Sequence, residues 1–233
     1  MKTYNQKGYI VWVSENALIP MCMNGLEAYV VPSETVNGNK KRVETVGLVW
    51  GHETTLTDGR TFYSVELVTI ETSAIQRRDF VNIKNQSLQL KRDMMTSFWP
   101  RYDFLGEFHT HPEKDYEKVS RQKLYYFSQE DLEDMEKGNG KIHNYRVGIV
   151  MTIAKMKKRS SSLSFPDPST VCFTLGDFKI WIKAYITYHK KDKLECSDHR
   201  DQEVKLDIPL QVGIVGEYTR FGKFSNSGKS KSY

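Results

Sequence analysis

The chain has 233 residues, of which 39% are hydrophobic and 12% aromatic, enough for one large packed domain. Its mean hydropathy is -0.57 and no run approaches the roughly 20 apolar residues of a membrane-spanning helix, so we expect a soluble protein without a membrane partner. The net charge of +5 is mild and, taken alone, argues against nucleic-acid binding.

The cysteines and the N-terminal segment predict a cytoplasmic protein. Cys22, Cys172 and Cys196 are widely spaced and odd in number, which fits neither a disulfide framework nor a structural zinc site. The first residues, MKTYNQKGYIVWVS, lack the cleavage pattern of a signal peptide.

The first half of the chain is predicted to mix strands and helices. Two strands, separated by the turn TDGR, form a hairpin, and the helix that follows is capped by Asn85 or Ser87 and stopped by Pro100. The predicted segments are a strand at 8–14, a short helix before Pro32, a polar loop at 33–42, strands at 43–51 and 62–71, a helix at 85–100 and a strand at 103–111.

In the second half, the segment 128–140 has the pattern of a capped helix, with Ser128 as N-cap and Asp131 three residues later. The remaining predicted segments are a buried strand at 146–154, a loop at 157–169, a hairpin at 170–189 around Gly176 and a further strand at 206–215. Because strands and helices mix without regular β-α-β alternation, the predicted fold class is α/β or α+β with a mixed sheet.

The segment GEFHTHPEKD, residues 106–115, contains the strongest chemical signal. Residues i and i+2 of a strand share a face, so His109 and His111 can bind one ion while Thr110 points away. Pro112 cannot donate to a sheet ladder and is predicted to end the strand at the rim of the sheet.

A third ligand is predicted downstream, because a catalytic zinc normally has three protein ligands and one open position. Ser128 and Asp131 are three residues apart and lie on one face of the predicted helix. Asp131 in the first turn can point toward the histidines, which gives two imidazoles and one carboxylate.

Hydrolysis also requires a general base, and several glutamates qualify. Glu107 shares the strand parity of the two histidines, and Glu44 begins a predicted buried strand in which an unpaired carboxylate would be costly. The candidates are Glu44, Glu53, Glu66, Glu71 and Glu107.

Together the segments ETVGLVWG, GEFHTHP and SQED resemble the JAB/MPN metalloproteases and their JAMM motif, E-x-x-G-x-L-x-G, H-[ST]-H-P and S-x-x-D. Val49 stands where that family often has leucine. The resemblance implies that one zinc ion is held by His109, His111 and Asp131, that Glu44 is the general acid/base, and that Ser128 donates a hydrogen bond to the oxyanion.

The resemblance also implies a JAB/MPN, cytidine-deaminase-like fold, with a catalytic core at 1–155. Residues 156–221 are then a β-rich continuation or extension, and 222–233 a disordered tail. Fifteen residues, 113–127, separate the H-x-H-P motif from Ser128, more than the family has. We expect either a substrate-gripping loop or lid, or an inert loop whose aromatic side chains pack on the core.

The function implied by the resemblance is zinc-dependent hydrolysis of an amide bond at the C-terminus of ubiquitin or a ubiquitin-like protein. The GEFHTHP form resembles bacterial JAB proteins, some of which accompany ubiquitin-like activating and conjugating enzymes in antiphage defence. Two alternatives remain, a catalytically silent MPN-type scaffold and a RadC-like DNA-associated protein. The intact motif argues against the first alternative, and the mild charge against the second.

Overall fold

The positions of most residues are given by a computed structural model. It describes residues 8–31, 33–34, 40–76, 81–138, 146–157, 162–190, 193–197 and 204–209. The predicted tail at 222–233 and the second half of the strand predicted at 206–215 lie outside these residues.

The described elements alternate between strands and a few helices. They are β1 (Tyr9–Val13), α1 (Glu15–Val30), β2 (Ser33–Glu34), β3 (Lys40–Lys41), β4 (Val46–Thr55), β5 (Thr61–Ile70), β6 (Ile75–Gln76), β7 (Val81–Asn82), α2 (Asn85–Phe98), β8 (Asp103–Glu113), α3 (Tyr116–Gln122), α4 (Gln129–Gly138), β9 (Val147–Lys155), β10 (Leu163–Asp167), β11 (Thr170–Leu175), β12 (Phe178–Lys190), β13 (Lys193–Cys196) and β14 (Val204–Asp207).

One large mixed sheet organises the chain, in the order β10-β11-β12-β9-β8-β4-β5-β1-β14, with β13 added beside β12. β8 runs parallel to β9, and β1 runs parallel to β5 and β14, whereas the other neighbours are antiparallel. The sheet curls, so that its two ends approach each other. The N–H of Leu206 in β14 donates to the carbonyl of Pro168 beside β11 at 2.9 Å. The predicted α/β class with a mixed sheet is confirmed.

The inner face of the curled sheet, defined as the face covered by α1, carries the largest apolar cluster. Side chains such as Val49, Phe108 and Ile182 meet α1 residues such as Met21 there. Gly25 lets α1 approach closely, because a Cβ at this position would lie 2.9 Å from the Ile153 side chain.

The outer face, on the opposite side, is covered by α2. Leu88 and Met95 of α2 pack on Trp50 and Phe104. The buried carboxylate of Glu71 accepts a hydrogen bond from the Ser87 hydroxyl at 2.6 Å and pairs with the Lys91 ammonium of the same helix. This contact fixes the start of α2 on the sheet.

The segment 113–127 forms the short helix α3 and an aromatic turn that also pack on the outer face. Val119 and Tyr125 are buried against Cys172 and Trp181, and the Tyr125 and Trp181 rings are parallel at 6.2 Å between centroids. Of the two expectations for this segment, the structure therefore favours aromatic side chains packed on the core.

Three predicted element boundaries were wrong. β4 begins at Val46, so Glu44 precedes the strand. β8 continues through Pro112 to Glu113 beside β9. The cap of α2 is Lys84, without a side-chain hydrogen bond, because the Ser87 hydroxyl is used by Glu71.

Two predicted loops were also wrong, since the loop at 33–42 contains β2 and β3 and the loop at 157–169 contains β10. Strands on both sides of residue 155 belong to the same sheet, and the predicted domain boundaries stay a prediction. Within the described residues, no helix has the length and apolar character needed to cross a membrane.

Candidate metal centre

The two histidines of β8 lie side by side on the outer face. His109 is flanked by Val46 in β4 and Val150 in β9, and His111 is opposite Thr152 in β9. Thr110 faces the other way, as predicted, and its hydroxyl accepts the N–H of Thr45 at 2.9 Å. The His109 and His111 rings therefore face the same surroundings, with centroids 5.0 Å apart.

The start of α4 brings a carboxylate to the same place. The Ser128 N–H donates to Asp131 Oδ2 at 2.7 Å, and the Asp131 N–H donates to Ser128 Oγ at 3.1 Å. This reciprocal pair is the predicted capping box. Because Ser128 fixes the carboxylate from one side, Asp131 is directed toward β8.

The three side chains form a group with the dimensions of a zinc site. Their potential ligand atoms all lie within 4.8 Å of one another. His109 Nε2 is 3.2 Å from His111 Nε2 and 3.5 Å from Asp131 Oδ1, and His111 Nε2 is 3.4 Å from Asp131 Oδ2. Zinc bonds of about 2.0–2.2 Å in a tetrahedron require ligand-to-ligand distances of roughly 3.3–3.6 Å. These three residues can hold a metal ion with little movement.

The site is buried on one side and open on the other. His109 is buried, whereas the side chains of His111 and Asp131 are 14% and 20% exposed. In the described part of the chain, these three residues form the group that could hold a metal ion. Three protein ligands with solvent access on one side are typical of catalytic rather than structural zinc.

Negative charge dominates the surroundings of His109. Burial by itself would lower the pKa of His109, but Asp131, followed by Glu107 and Glu44, overcomes this effect and raises the pKa to about 9. Burial would raise the pKa of Asp131, and the two histidines instead hold it well below its usual range. The metal-free site therefore favours a positive charge at neutral pH, as a cation-binding site must.

Glu44 lies next to this group, as the predicted general base requires. The N–H of Thr110 donates to the carbonyl of Thr45 at 3.0 Å, which continues the β4–β8 pairing past Val46 and places Glu44 opposite His111. Residues two apart share a face, so Glu44 is on the outer face with His109. It is 8% exposed, and its charge acts on the pKa of His109.

The other candidate bases have different surroundings. Glu107 Oε1 is 3.9 Å from Nδ1 of His109, the ring nitrogen that does not face Asp131. Glu53 pairs with Arg146, Glu66 accepts a hydrogen bond from the Ser64 hydroxyl, and Glu71 pairs with Lys91. Glu44 and Glu107 are therefore the two glutamates whose charges raise the pKa of His109.

The sequence patterns did not identify two aromatic residues at the site. Phe127 stacks on the His109 ring with centroids 5.3 Å apart, and Tyr185 stacks on Phe127 at 3.8 Å. Phe127 immediately precedes the S-x-x-D motif, which was the available signal. Tyr185 is 54 positions beyond Asp131, and only the sheet topology brings it here.

Comparisons with known proteins add little to this geometry. No protein-family model matches the chain, and no curated protein matches it. Among solved structures, the chain is similar to the solution structure of protein DSY2949 from Desulfitobacterium hafniense. The identity is 15%, covering 86% of this chain and 95% of that chain, with a TM-score of 0.41. A likeness at this level carries no argument about fold family or function.

Proposed function

We propose that this protein is a zinc-dependent hydrolase of amide bonds, with a JAB/MPN-type fold and a JAMM-type site. The observation that carries the proposal is the grouping of His109, His111 and Asp131, whose potential ligand atoms lie within 4.8 Å of one another at a partly exposed site. Glu44 and Ser128 supplement these ligands at the positions that the resemblance assigns to a base and an oxyanion donor.

The chain supplies a proton acceptor and a hydrogen-bond donor for this chemistry. A bound zinc ion would polarise the amide carbonyl and make water more acidic. Glu44 would take the proton of the attacking water and return it to the amine as the carbon–nitrogen bond breaks. The second proton of the water also passes to the amine, so the products are a carboxylate and a protonated amine and the protons balance.

Ser128 would stabilise negative charge on the carbonyl oxygen. Its Oγ already accepts the N–H of Asp131, and a hydroxyl that accepts one hydrogen bond still has its proton to donate. Ser128 is exposed, so an incoming substrate can reach this hydroxyl. The Ser128 hydroxyl and an ion held by His109, His111 and Asp131 would then both stabilise the carbonyl oxygen.

The proposed substrate is the extended C-terminal tail of a ubiquitin-like protein, either as a conjugate or as a precursor. Support for this choice is the resemblance of the three motifs to JAB/MPN proteases, and the open side of the site is compatible with an extended chain. Ubiquitin-like activating and conjugating enzymes are the proposed partners, in the cytoplasm of a bacterial defence system.

Elemental analysis of the purified protein tests the metal centre first. We expect one zinc per chain in the wild type and its loss in His109→Ala and Asp131→Ala. A wild type that takes up no zinc after reconstitution would refute the hydrolase mechanism and leave a scaffold module as the better interpretation.

Cleavage of ubiquitin-like fusion proteins then tests the catalytic role of Glu44. Glu44→Gln should retain zinc and lower the cleavage rate about 10²- to 10⁴-fold, the usual contribution of a general base. Glu53→Gln is a matched control, since Glu53 is exposed and pairs with Arg146, and it should change neither property. Equal rates for wild type and Glu44→Gln would exclude Glu44 as the base.

A further inference from the structure

A stack of three rings links the metal ligands to the interior of the sheet. The Phe127 ring lies between the His109 imidazole, at 5.3 Å and 24°, and the Tyr185 ring, at 3.8 Å and 12°. Phe127 and Tyr185 are both buried. The orientation of the His109 ring is therefore limited by Phe127, and that of Phe127 by Tyr185.

Tyr185 also holds the main chain that leads to the other ligand. Its hydroxyl accepts a hydrogen bond from the N–H of Phe127 at 2.8 Å. The next residue, Ser128, forms the reciprocal hydrogen bonds with Asp131. Tyr185 is thus connected through Phe127 to both ligands. Phe127 stacks on His109 of β8, and the main chain after Phe127 leads to Asp131 of α4.

The position of Tyr185 is itself well determined. It belongs to β12, where its partner across the pair with β9 is Gly148. The ammonium group of Lys183 lies 5.4 Å from the centroid of its ring, and the same group bonds Asp167 Oδ1 at 3.0 Å and Ser169 Oγ at 2.6 Å. Because Lys183 is fixed by these bonds, the Tyr185 ring has a rigid support.

We propose that Tyr185 is a positioning residue for the metal centre, holding His109 and Asp131 at the separation that a metal ion requires. This proposal rests on the metal binding contained in the proposed function. It predicts that the Tyr185 hydroxyl contributes to metal affinity, although it touches neither ligand. Groups that orient metal ligands typically change affinity 10- to 100-fold when they are removed.

Two substitutions separate the contributions of the hydroxyl and the ring. Tyr185→Phe keeps the stacking on Phe127 and removes the hydroxyl that accepts the Phe127 N–H. Tyr185→Leu removes both the stacking and this hydrogen bond. We expect zinc to bind about 3- to 10-fold more weakly to Tyr185→Phe and about 10- to 100-fold more weakly to Tyr185→Leu. Zinc affinity is measured by competition with a chromophoric chelator.

Tyr29→Phe is the matched control. The Tyr29 side chain is also buried, and its hydroxyl accepts the N–H of Lys155 at 3.0 Å and donates to the Glu113 carbonyl at 2.7 Å, but Tyr29 belongs to the inner face. This variant should lose thermal stability and keep the zinc affinity of the wild type.

The visible absorption of cobalt-loaded protein distinguishes positioning from general packing, because it reports the arrangement of the ligands. A change in this spectrum in Tyr185→Phe, with Tyr29→Phe unchanged, is the expected result. Wild-type zinc affinity and an unchanged spectrum in Tyr185→Phe would overturn the positioning role while leaving the metal centre intact. If Tyr185→Leu fails to fold, Tyr185→Phe still decides the question. A wild type that binds neither zinc nor cobalt would instead refute the metal centre itself.

Discussion

The metal-free protein should lose stability as the pH rises from about 6 to above 9, because of the charge on His109. Burial would lower the pKa of His109, but Asp131 and two glutamates raise it to about 9, whereas an unfolded histidine has a pKa of about 6.5. A folded pKa above the unfolded one means that the stabilisation is complete below pH 6.5. It is lost as the pH rises through 9.

The size of this effect follows from the same two pKa values. A change from about 6.5 to about 9 corresponds to roughly 3 kcal/mol, since each pH unit contributes about 1.4 kcal/mol. For a chain of this length that is roughly 6–12 °C in melting temperature.

Thermal unfolding of chelator-treated wild type and His109→Gln, at pH 6 to 9.5 and constant ionic strength, measures this contribution. Glutamine cannot take up a proton, so the difference in melting temperature between the two proteins should shrink over this interval, while effects of other groups cancel. A difference that is constant with pH would show that folding does not raise the pKa of His109 in the metal-free protein.

Further substitutions test the local geometry of the site. Ser128→Ala should cost about 1 kcal/mol of stability, because the Asp131 N–H loses its capping oxygen. It should keep zinc, since the main-chain N–H of Ser128 still holds the carboxylate, and loss of zinc would contradict this. Gly106→Ala should cost about 3 kcal/mol or more, since φ is +153° and a Cβ would lie 1.9 Å from the Val147 carbonyl oxygen. Gly59→Ala is the control, with φ of +85° and no atom within 4 Å, and should cost only about 1 kcal/mol. Denaturant unfolding measures all three, and equal costs for the two glycines would refute the steric argument.

Elements with strong local patterns were predictable from the sequence, and those that depend on pairing were not. β10 has no apolar alternation facing a core, and Phe165 is exposed. It is extended because it pairs with β11, a contact between segments that the local pattern does not reveal.

Pro112 shows how topology overrides a local stop signal. The Thr110 N–H points to the β4 side, toward Thr45, so the Pro112 nitrogen, two residues later, also faces that side. The missing donor is thus not required for pairing with β9, and β8 continues to Glu113.

The grouping of His109, His111 and Asp131 was predictable because their spacing encodes local geometry. A spacing of two residues on a strand places His109 and His111 on one face. The spacing of three residues between Ser128 and Asp131 places Asp131 in the first turn of a helix before any tertiary contact is known. The role proposed for Tyr185 has no such signal. Its contact with Phe127 depends on the register of β12 against β9, which only the folded chain determines.

Bound zinc should remove the contribution of His109 to the pH dependence of stability between about pH 6.5 and 9, because the rise in zinc affinity offsets the loss of stability of the metal-free protein. A metal-ligating imidazole must be neutral, whereas the pKa of His109 in the metal-free protein is raised to about 9. Between pH 6.5 and 9, binding therefore releases about one proton, and zinc affinity should rise about tenfold per pH unit before it levels off. Chelator competition at several pH values, corrected for protonation of the chelator, measures this slope. An affinity that does not change with pH would mean that zinc does not displace a proton from His109, which would contradict the raised pKa of this imidazole in the metal-free protein.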